Sequence, residues 1–208
     1  AKAAARLPLS VKAVIVGEPT ENKLAVGQKG VLVCRISARG SGGHSSRPQA
    51  GVSAVHELLR FLYPWLDRTW GHDPVLGETL VNVGVIQGGS GANVLAHDAQ
   101  ATAIFRVTTS IQDVKNQILE QACHAVTIEF LSASEPQTFQ EMPGFETTVV
   151  GFGTDAYYLR PLGEIYLTGP GSIRYAHSDD EQITPRELEQ GAENFYKLVE
   201  QLYKGKNL

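Results

Sequence analysis

The alternation of apolar and polar residues predicts the secondary structure of the middle of the chain. Period-two alternation predicts strands over residues 30–38, 79–87, 99–108 and 126–131. Apolar residues at helical spacing predict helices over residues 50–70 and 111–122. The second helix opens after Ser110, with Asp113 at the position of a capping box. The order β-α-β-β-α-β is that of a ferredoxin-like domain.

The flanking stretches predict a separate α/β unit. Short apolar runs predict strands at residues 13–16, around Val149 and at residues 164–168, and a helical turn opens after residue 153. Thr184, Pro185 and Glu187 form a capping box that begins a helix over residues 184–203. We therefore predict that residues 1–27 and 133–208 are parts of one α/β domain. Residues 28–132 form the ferredoxin-like domain inserted in it.

Composition and charge exclude several classes of protein. The 208 residues are 42% hydrophobic and 19% charged, as in an ordinary globular chain, and the net charge of -4 gives no reason to expect nucleic acid. No apolar run is long enough to span a bilayer and no signal peptide is found at the start, so we expect a cytoplasmic protein without a membrane partner. Cys34 and Cys123 lie in apolar stretches and are expected to be buried free thiols.

Two residues at predicted strand ends are candidate metal ligands. His177 lies on a glycine-punctuated loop after a strand, and Asp179 is one of three following acids that could fix the second nitrogen of the imidazole. By local pattern alone, a solvated surface histidine is the alternative. Glu18 precedes Pro19, which favours an extended backbone and a carboxylate directed from the strand end, although by local pattern alone a plain turn residue is the default interpretation.

Other polar residues have a simple structural interpretation by default. His44 lies in a glycine-rich loop typical of a turn, and Arg106 lies in a strand where it could face solvent. Asp155 is interpreted as the cap of the helical turn that it opens. The glycine-rich run at residues 88–91 joins two strands and precedes no helix, so it does not indicate nucleotide binding. The remaining histidines are interpreted as surface or packing residues: His56, His72, His97 and His124.

Six short motifs nevertheless occur in one order along the chain. They are Gly17-Glu18-Pro19-Thr20, Gly42 to Pro48, Gly91-Ala92-Asn93-Val94, Phe105-Arg106, Thr154-Asp155-Ala156 and Gly169 to Glu181. Together they resemble the co-catalytic di-zinc amidohydrolases and peptidases, such as acetylornithine deacetylase, succinyl-diaminopimelate desuccinylase, aminoacylase and the glutamate carboxypeptidases. The resemblance covers nearly the whole chain from Ala13 onward. It implies part of a mixed-sheet α/β catalytic domain with an inserted ferredoxin-like lid.

The resemblance also implies roles for the candidate residues around the metal. Glu18 matches a ligand of one zinc ion, and His177 matches a ligand of the other. His44 matches the lid histidine, which in dimeric members reaches the partner's active site and donates a hydrogen bond to the developing oxyanion. Homodimerisation through the lid is therefore expected.

Three further residues match the substrate side of the family pattern. Arg106 matches a residue that grips a substrate carboxylate, Asn93 matches a residue that lines the substrate pocket, and backbone groups near Gly169 are expected to approach the substrate. Tyr157 occupies the place of an arginine that suits a succinyl group, which speaks against desuccinylation. The resemblance thus favours hydrolysis of an N-acyl amino acid, closest to acetylornithine deacetylase and its place in arginine biosynthesis.

The chain departs from the family pattern in one large respect. The family holds two zinc ions, with cobalt or manganese as alternatives, and takes three further ligands and its general base from earlier motifs. No Glu-Glu pair occurs here, and the residues before Ala13 hold no His-x-Asp motif. Because a catalytic zinc needs about three protein ligands, we expect this chain alone to be inactive and its metal site incompletely filled. It is expected to be a fragment, or to need an N-terminal partner piece. The alternative is a non-catalytic dimerisation or binding module.

Overall fold

A computed structural model describes residue 6 and residues 11–204, which form two compact units. The unit boundaries lie between Gln28 and Lys29 and between Pro136 and Gln137. The sequence pattern places the same two boundaries after residues 27 and 132. The second boundary lies later in the structure because the strand before it continues to Ser134.

The described residues form eleven strands and four helices. The strands are β1 (Ala13–Val16), β2 (Leu24–Gln28), β3 (Gly30–Arg39), β4 (His72–Asp73), β5 (Gly77–Glu78), β6 (Leu80–Gly88), β7 (Asp98–Val107), β8 (Val126–Ser134), β9 (Gln137–Thr138), β10 (Thr147–Val150) and β11 (Glu164–Leu167). The helices are α1 (Ala54–Leu62), α2 (Ile111–Leu119), α3 (Ala156–Leu159) and α4 (Pro185–Lys204).

The inserted unit is an antiparallel sheet with two helices packed on one face. The strand order is β6-β7-β3-β8, and β3 pairs along its whole length with β7. Alternate residues of the two central strands point to the helices and are buried, as in Leu32, Cys34 and Ile36 of β3. The predicted β-α-β-β-α-β order is confirmed.

Four aromatic rings fill the centre of this core. Trp65, Trp70 and Phe105 are at most 1% exposed, and Phe61 lies beside them. The ring centroids of Trp70 and Phe105 are 4.8 Å apart, and those of Trp65 and Trp70 are 5.2 Å apart in an edge-to-face arrangement. Such contacts add stabilisation to the buried area, so this cluster anchors α1 to β7.

Helix α1 is shorter than its apolar pattern predicts. It ends at Leu62 and passes into a 3₁₀ turn, Tyr63–Trp65. Pro64 explains this end, since it has no N–H to donate and its ring would clash with the carbonyl of the preceding turn. The apolar residues at helical spacing are Val52, Val55, Leu58, Leu59, Leu62 and Leu66. Three of them, Val52, Leu59 and Leu66, are exposed instead of buried.

The outer unit contains a mixed sheet, as expected. The strand order is β1-β11-β2-β10, with β9 beside β2; β1 pairs parallel with β11, and β10 pairs parallel with β2. Buried residues lie on both faces: Ile165 and Leu167 pack with the α3 side, and Tyr166 packs with Leu198 of α4. The sequence prediction lacks strand β2, strand β9 and the β4–β5 hairpin.

The helix caps follow the sequence closely. Asp113 N–H donates to the Ser110 hydroxyl at 3.0 Å, and Glu187 N–H donates to Thr184 Oγ1 at 3.2 Å. Thr184 N–H in turn donates to the Glu187 carboxylate at 2.8 Å, which completes the capping box. The Thr184 hydroxyl also donates to the Glu187 carboxylate, at 2.7 Å, and these two bonds from Thr184 to the carboxylate, the hydroxyl bond first, lower the pKa of Glu187.

The two cysteines differ in environment. Cys34 is buried in the inserted core, and burial raises its pKa to about 12. Cys123 is exposed in the loop after α2, so the expectation that both thiols are buried is wrong. No helix among the described residues is long and apolar enough to cross a membrane.

Candidate functional site

The loops that follow β1 and β11 are bonded to each other in the outer unit. Parallel pairing brings Val16 opposite Leu167, so both strands end at the same edge of the sheet. Beyond that edge, Thr20 N–H and Asn22 N–H both donate to the carbonyl of Gly169, at 3.2 and 2.9 Å. Gly169 N–H donates to Thr20 Oγ1 at 3.1 Å. The backbone that carries Glu18 is therefore fixed against the loop that leads to His177.

Gly169 has no room for a side chain. A Cβ at this position would lie 2.6 Å from the carbonyl oxygen of Glu18 and 3.0 Å from its nitrogen. The close approach that the sequence assigns to Gly169 is thus made here to the backbone of Glu18. Its expected approach to a substrate stays a prediction.

A tight turn after Glu18 completes the connection. Glu21 and Asn22 have φ values of 58° and 61°, and Lys23 N–H donates to Thr20 carbonyl at 3.1 Å. Two consecutive positive φ values are typical of a type I′ turn, in which Glu is an unfavourable residue. The Ser172 hydroxyl donates to the Glu21 carboxylate at 2.9 Å, which helps hold this strained turn.

Glu18 lies close to a second carboxylate that the sequence pattern did not connect with it. Glu18 is half-buried, and its pKa is raised by burial and by the negative charge of Asp155. The sequence predicts Asp155 as the cap of α3, yet its side chain makes no capping hydrogen bond, and Ala156 N–H donates to the hydroxyl of Thr154 instead, at 3.1 Å. The two acids come from the ends of different strands, so only the folded chain brings their charges together.

His177 has an unusual backbone conformation. Its φ is 61°, which is uncommon for a residue with a side chain, and it is exposed. Among the described residues, its imidazole makes no hydrogen bond with Asp179 or the acids that follow. A cavity of about 440 Å³ beside this loop is lined by residues from both bonded loops, including Pro19, Gly171 and Glu181.

The described residues contain no group of three or more His, Cys, Asp and Glu side chains placed to hold a metal ion. Glu18 and His177 could each supply one ligand. Two ligands do not fill a zinc site, which takes about three from protein in catalytic centres.

The loop of His44 in the inserted unit is built as an extension of the β3–β7 pair. Leu95 N–H donates to Gly43 carbonyl at 2.8 Å, and Ser45 N–H donates to Asn93 carbonyl at 3.0 Å. Between these bonds, His44 and Val94 form an isolated antiparallel bridge. The structure thus brings together two residues that the sequence selects from separate motifs, His44 and Asn93.

The imidazole of His44 is held on one edge only. Ser46 N–H donates to Nδ1 at 3.2 Å, and the Ser46 hydroxyl lies 2.8 Å from the same nitrogen. The side chain is exposed, and its Nε2 makes no hydrogen bond within the described part of the chain. The geometry leaves Nε2 available to a ligand.

The backbone conformation of this loop requires glycine at position 42. Its φ is 70°, and a Cβ there would lie 2.1 Å from Nε2 of His97. His97 therefore packs on the loop, consistent with its interpretation as a packing residue. Ser46 was missed as a partner of His44; its adjacency in the His-Ser-Ser run was the only available signal.

Arg106 lies at the other end of the same sheet. It pairs with Val31 near the start of β3, whereas Asp98 at the start of β7 pairs with Arg39. These two pairs are eight residue steps apart, about 27 Å at about 3.4 Å per residue. Arg106 is half-buried and makes no hydrogen bond or ion pair within residues 11–204. It is therefore free to bind an anion, but not one that His44 of the same unit contacts.

An apolar groove runs along the free edge of the inserted sheet. It lies between β6 and the segment formed by α1 and the turn after it, and it is lined by Leu59, Arg60, Leu62, Tyr63, Leu66, Val83 and Ile86. Tyr63 and Leu66 are each 71% exposed. A set of large apolar side chains next to an unpaired strand edge is typical of a surface that another chain covers.

Residues 26–128 match the family model of the peptidase dimerisation domain. The chain is 38% identical over 189 residues to a peptidase M20 domain-containing protein of Schizosaccharomyces pombe, covering 89% of this chain and 47% of that protein. It is 36% identical over 224 residues to a probable carboxypeptidase of Talaromyces marneffei, covering 93% of this chain and 49% of that protein. The chain thus spans about half the length of these relatives.

Solved structures share the fold at low sequence identity. An amidase of the hydantoinase/carbamoylase family from Burkholderia phymatum matches with a TM-score of 0.72 and 17% identity, over 93% of this chain and 55% of that one. A tripeptidase from Staphylococcus aureus matches with a TM-score of 0.67 and 18% identity, over 86% and 53%.

Proposed function

Since the chain belongs to the M20 family of peptidases and amidohydrolases and carries its dimerisation domain, we propose that it takes part in metal-dependent hydrolysis of an amide bond next to a carboxylate. An N-acyl amino acid, as in acetylornithine deacetylase, and the last residue of a peptide both have this chemistry. The relatives named as carboxypeptidases favour the peptide. The absence of an arginine at Tyr157 argues against a succinyl group.

The observation that carries this proposal is the loop of His44. Its backbone is bonded to the Asn93 segment, and the Nε2 edge of the imidazole is free. A donor that is fixed before the substrate arrives stabilises the charge that develops on a scissile carbonyl oxygen, without reorganisation during the reaction. We assign this role to His44, with Asn93 beside it at the substrate.

Two carboxylates of the outer unit, those of Glu18 and Asp155, suit the binding of a divalent cation. Burial and, after it, the negative charge of Asp155 raise the pKa of Glu18, so a cation would relieve the repulsion between the two carboxylates. Glu18 and His177 would hold zinc, or cobalt or manganese, together with ligands that the described residues do not supply. When bound, such an ion supplies an activated water and polarises the carbonyl. The hydrogen bonds between Thr20 and Gly169 hold together the two ligand loops, which are the loop after β1 with Glu18 and the loop after β11 with His177.

Arg106 suits the carboxylate of the substrate. A guanidinium presents planar, bidentate donors, and Arg106 has no competing acid among the described residues. Its neighbours on the same sheet face, Val31 and Leu80, are apolar, which strengthens a charge pair formed beside them. Arg106 lies about 27 Å along the β3–β7 pair from Arg39 and Asp98, and the loop of His44 begins only beyond that end. A small substrate would therefore meet Arg106 and His44 only from two copies.

We further propose that two copies pair through the groove between α1 and β6. The edge strand β6 offers unpaired backbone groups, and the residues beside it are apolar. Leu66→Glu and Ile86→Glu are expected to give monomers in sedimentation equilibrium. Leu119→Glu, an exposed leucine of α2 outside the groove, is the matched control and is expected to leave the dimer intact. A dimer that survives both groove changes contradicts this surface.

The test of the reaction uses the protein as its gene encodes it, loaded with zinc and assayed on N-acetyl amino acids, N-succinyl amino acids and dipeptides. We expect hydrolysis of the first or third class. His44→Ala is expected to lower kcat by about 10²–10³, the size found for loss of one oxyanion donor, while Ser45→Ala serves as control. Full activity of His44→Ala refutes the assignment. A zinc-independent dimer with no hydrolysis of any substrate supports the alternative, a binding module.

A further inference from the structure

Ser46 makes both hydrogen bonds that hold the His44 imidazole. Its backbone N–H donates to Nδ1 at 3.2 Å, and its hydroxyl oxygen lies 2.8 Å from Nδ1. Both groups belong to one residue, two positions after the histidine. The backbone between them is fixed by a bond from Arg47 N–H to the His44 carbonyl at 3.0 Å.

These contacts determine where the imidazole proton lies. A backbone N–H can only donate, so Nδ1 must present its lone pair to Ser46. A neutral imidazole with an unprotonated Nδ1 carries its proton on Nε2. The Ser46 hydroxyl then points its hydrogen at the same lone pair, because Nδ1 has no proton to give. Both donors of Ser46 therefore select one tautomer, and both act on the ring edge opposite to Nε2.

We propose that Ser46 is a positioning residue, which holds His44 in the Nε2–H tautomer and fixes the plane of its ring. The catalytic role of this tautomer rests on the proposed function, in which Nε2–H donates to the developing oxyanion. The opposite tautomer would present a lone pair to that oxygen and repel it. Ser46 itself touches no reacting atom.

The neighbouring serine is a natural control. Ser45 uses its backbone N–H to bond Asn93, and its hydroxyl makes no hydrogen bond among the described residues. Ser45→Ala therefore removes a hydroxyl from the same loop without touching the imidazole. Ser46→Thr keeps the hydroxyl that Ser46→Ala removes.

The experiment is nitrogen-15 NMR of the imidazole in the 208-residue chain, at a pH where the ring is neutral. His44→Gln assigns its resonances. We expect Nδ1 to resonate in the unprotonated range and Nε2 in the protonated range. Loss of one neutral hydrogen bond changes an equilibrium roughly two- to ten-fold, so Ser46→Ala is expected to lower the ratio of Nε2–H to Nδ1–H by that factor. Ser46→Thr should restore the ratio, and Ser45→Ala should leave it unchanged.

Three results would overturn the proposal: an Nδ1–H tautomer in the unmodified chain, an unchanged ratio in Ser46→Ala, or an equal change in both alanine variants. A backbone amide spectrum of each variant shows whether the loop is intact, and Ser46→Thr provides a second comparison. Because this measurement needs no turnover, it is separate from the activity of His44→Ala. An active His44→Ala protein with the expected tautomer would refute the proposed function and leave the positioning role standing.

Discussion

Gly169→Ala should open the connection between the two ligand loops. The new methyl group would lie 2.6 Å from the Glu18 carbonyl oxygen and 3.0 Å from its nitrogen, and both are backbone atoms that cannot rotate away. The loops must therefore separate. The bonds from Thr20 N–H and Asn22 N–H to Gly169 carbonyl would lengthen as a result.

The size of the effect follows from two contributions. Overpacking of a filled site costs about 1–3 kcal/mol. Partial weakening of the two hydrogen bonds adds about 0.5 kcal/mol each, half of what a complete bond contributes. We expect the free energy of unfolding of the outer unit to fall by about 2–4 kcal/mol. Gly151→Ala is the matched control, because a Cβ there meets nothing within 4 Å; it should be neutral or stabilising by about 0.4–1 kcal/mol.

Hydrogen exchange measures the opening of the loops, and urea unfolding measures the free energy of unfolding of the outer unit. Exchange of the Asn22 amide should become faster in Gly169→Ala and stay unchanged in Gly151→Ala. Trp65 and Trp70 both lie in the inserted unit, so far-ultraviolet circular dichroism is needed to follow the outer unit. Surface substitutions usually change the free energy of unfolding by less than about 0.5 kcal/mol. If the two variants differ by less than this, the predicted clash between the new methyl group and the Glu18 backbone is refuted.

Three further changes test other parts of the structure. Phe105→Ala should lower the stability of the inserted unit by about 3–5 kcal/mol, since it removes a fully buried ring from the aromatic cluster; a loss below about 1 kcal/mol by tryptophan fluorescence contradicts this. Ser110→Ala should cost about 1 kcal/mol by removing the acceptor of Asp113 N–H, measured by the same transition. Asp155→Asn should lower the pKa of Glu18, followed by carbon-13 NMR of its carboxyl group. Because the folded-state pKa of Glu18 lies above its ordinary value of 4.5, its contribution to stability is present below that value and is lost as pH rises through the raised pKa. The neutral amide of this variant should make the loss smaller, and an unchanged titration of Glu18 would refute the coupling.

Local patterns predicted the elements whose apolar residues repeat regularly. Strand β3 alternates over its whole length, and the caps at Ser110 and Thr184 form the expected bonds. Strand β2 gave no such signal, because it is buried on both sides and contains Gly27 and Gln28. The end of α1 depended on Pro64, which interrupts an apolar period that otherwise continues.

In the candidate site too, some residues could be found from the sequence and others only from the structure. Motif order selected His44 and Asn93, and the structure explains their nearness by the bonds that extend the β3–β7 pair. The charge coupling of Glu18 with Asp155 could be seen only in the folded sheet, because the two residues follow strands that are far apart in sequence, β1 and β10. The bonds of Ser46 to Nδ1 needed atomic geometry, since serine beside a histidine in a turn has many other arrangements.

The length of the β3–β7 pair has a genetic consequence under the proposed function. If one small substrate needs His44 from one copy and Arg106 from the other, His44→Ala and Arg106→Ala should each inactivate the protein yet complement each other. In a mixed dimer, one site receives both intact residues and the other receives neither. Co-expression of the two inactive genes should therefore restore about a quarter of the normal number of working sites after random pairing. A single gene that carries both changes should restore none.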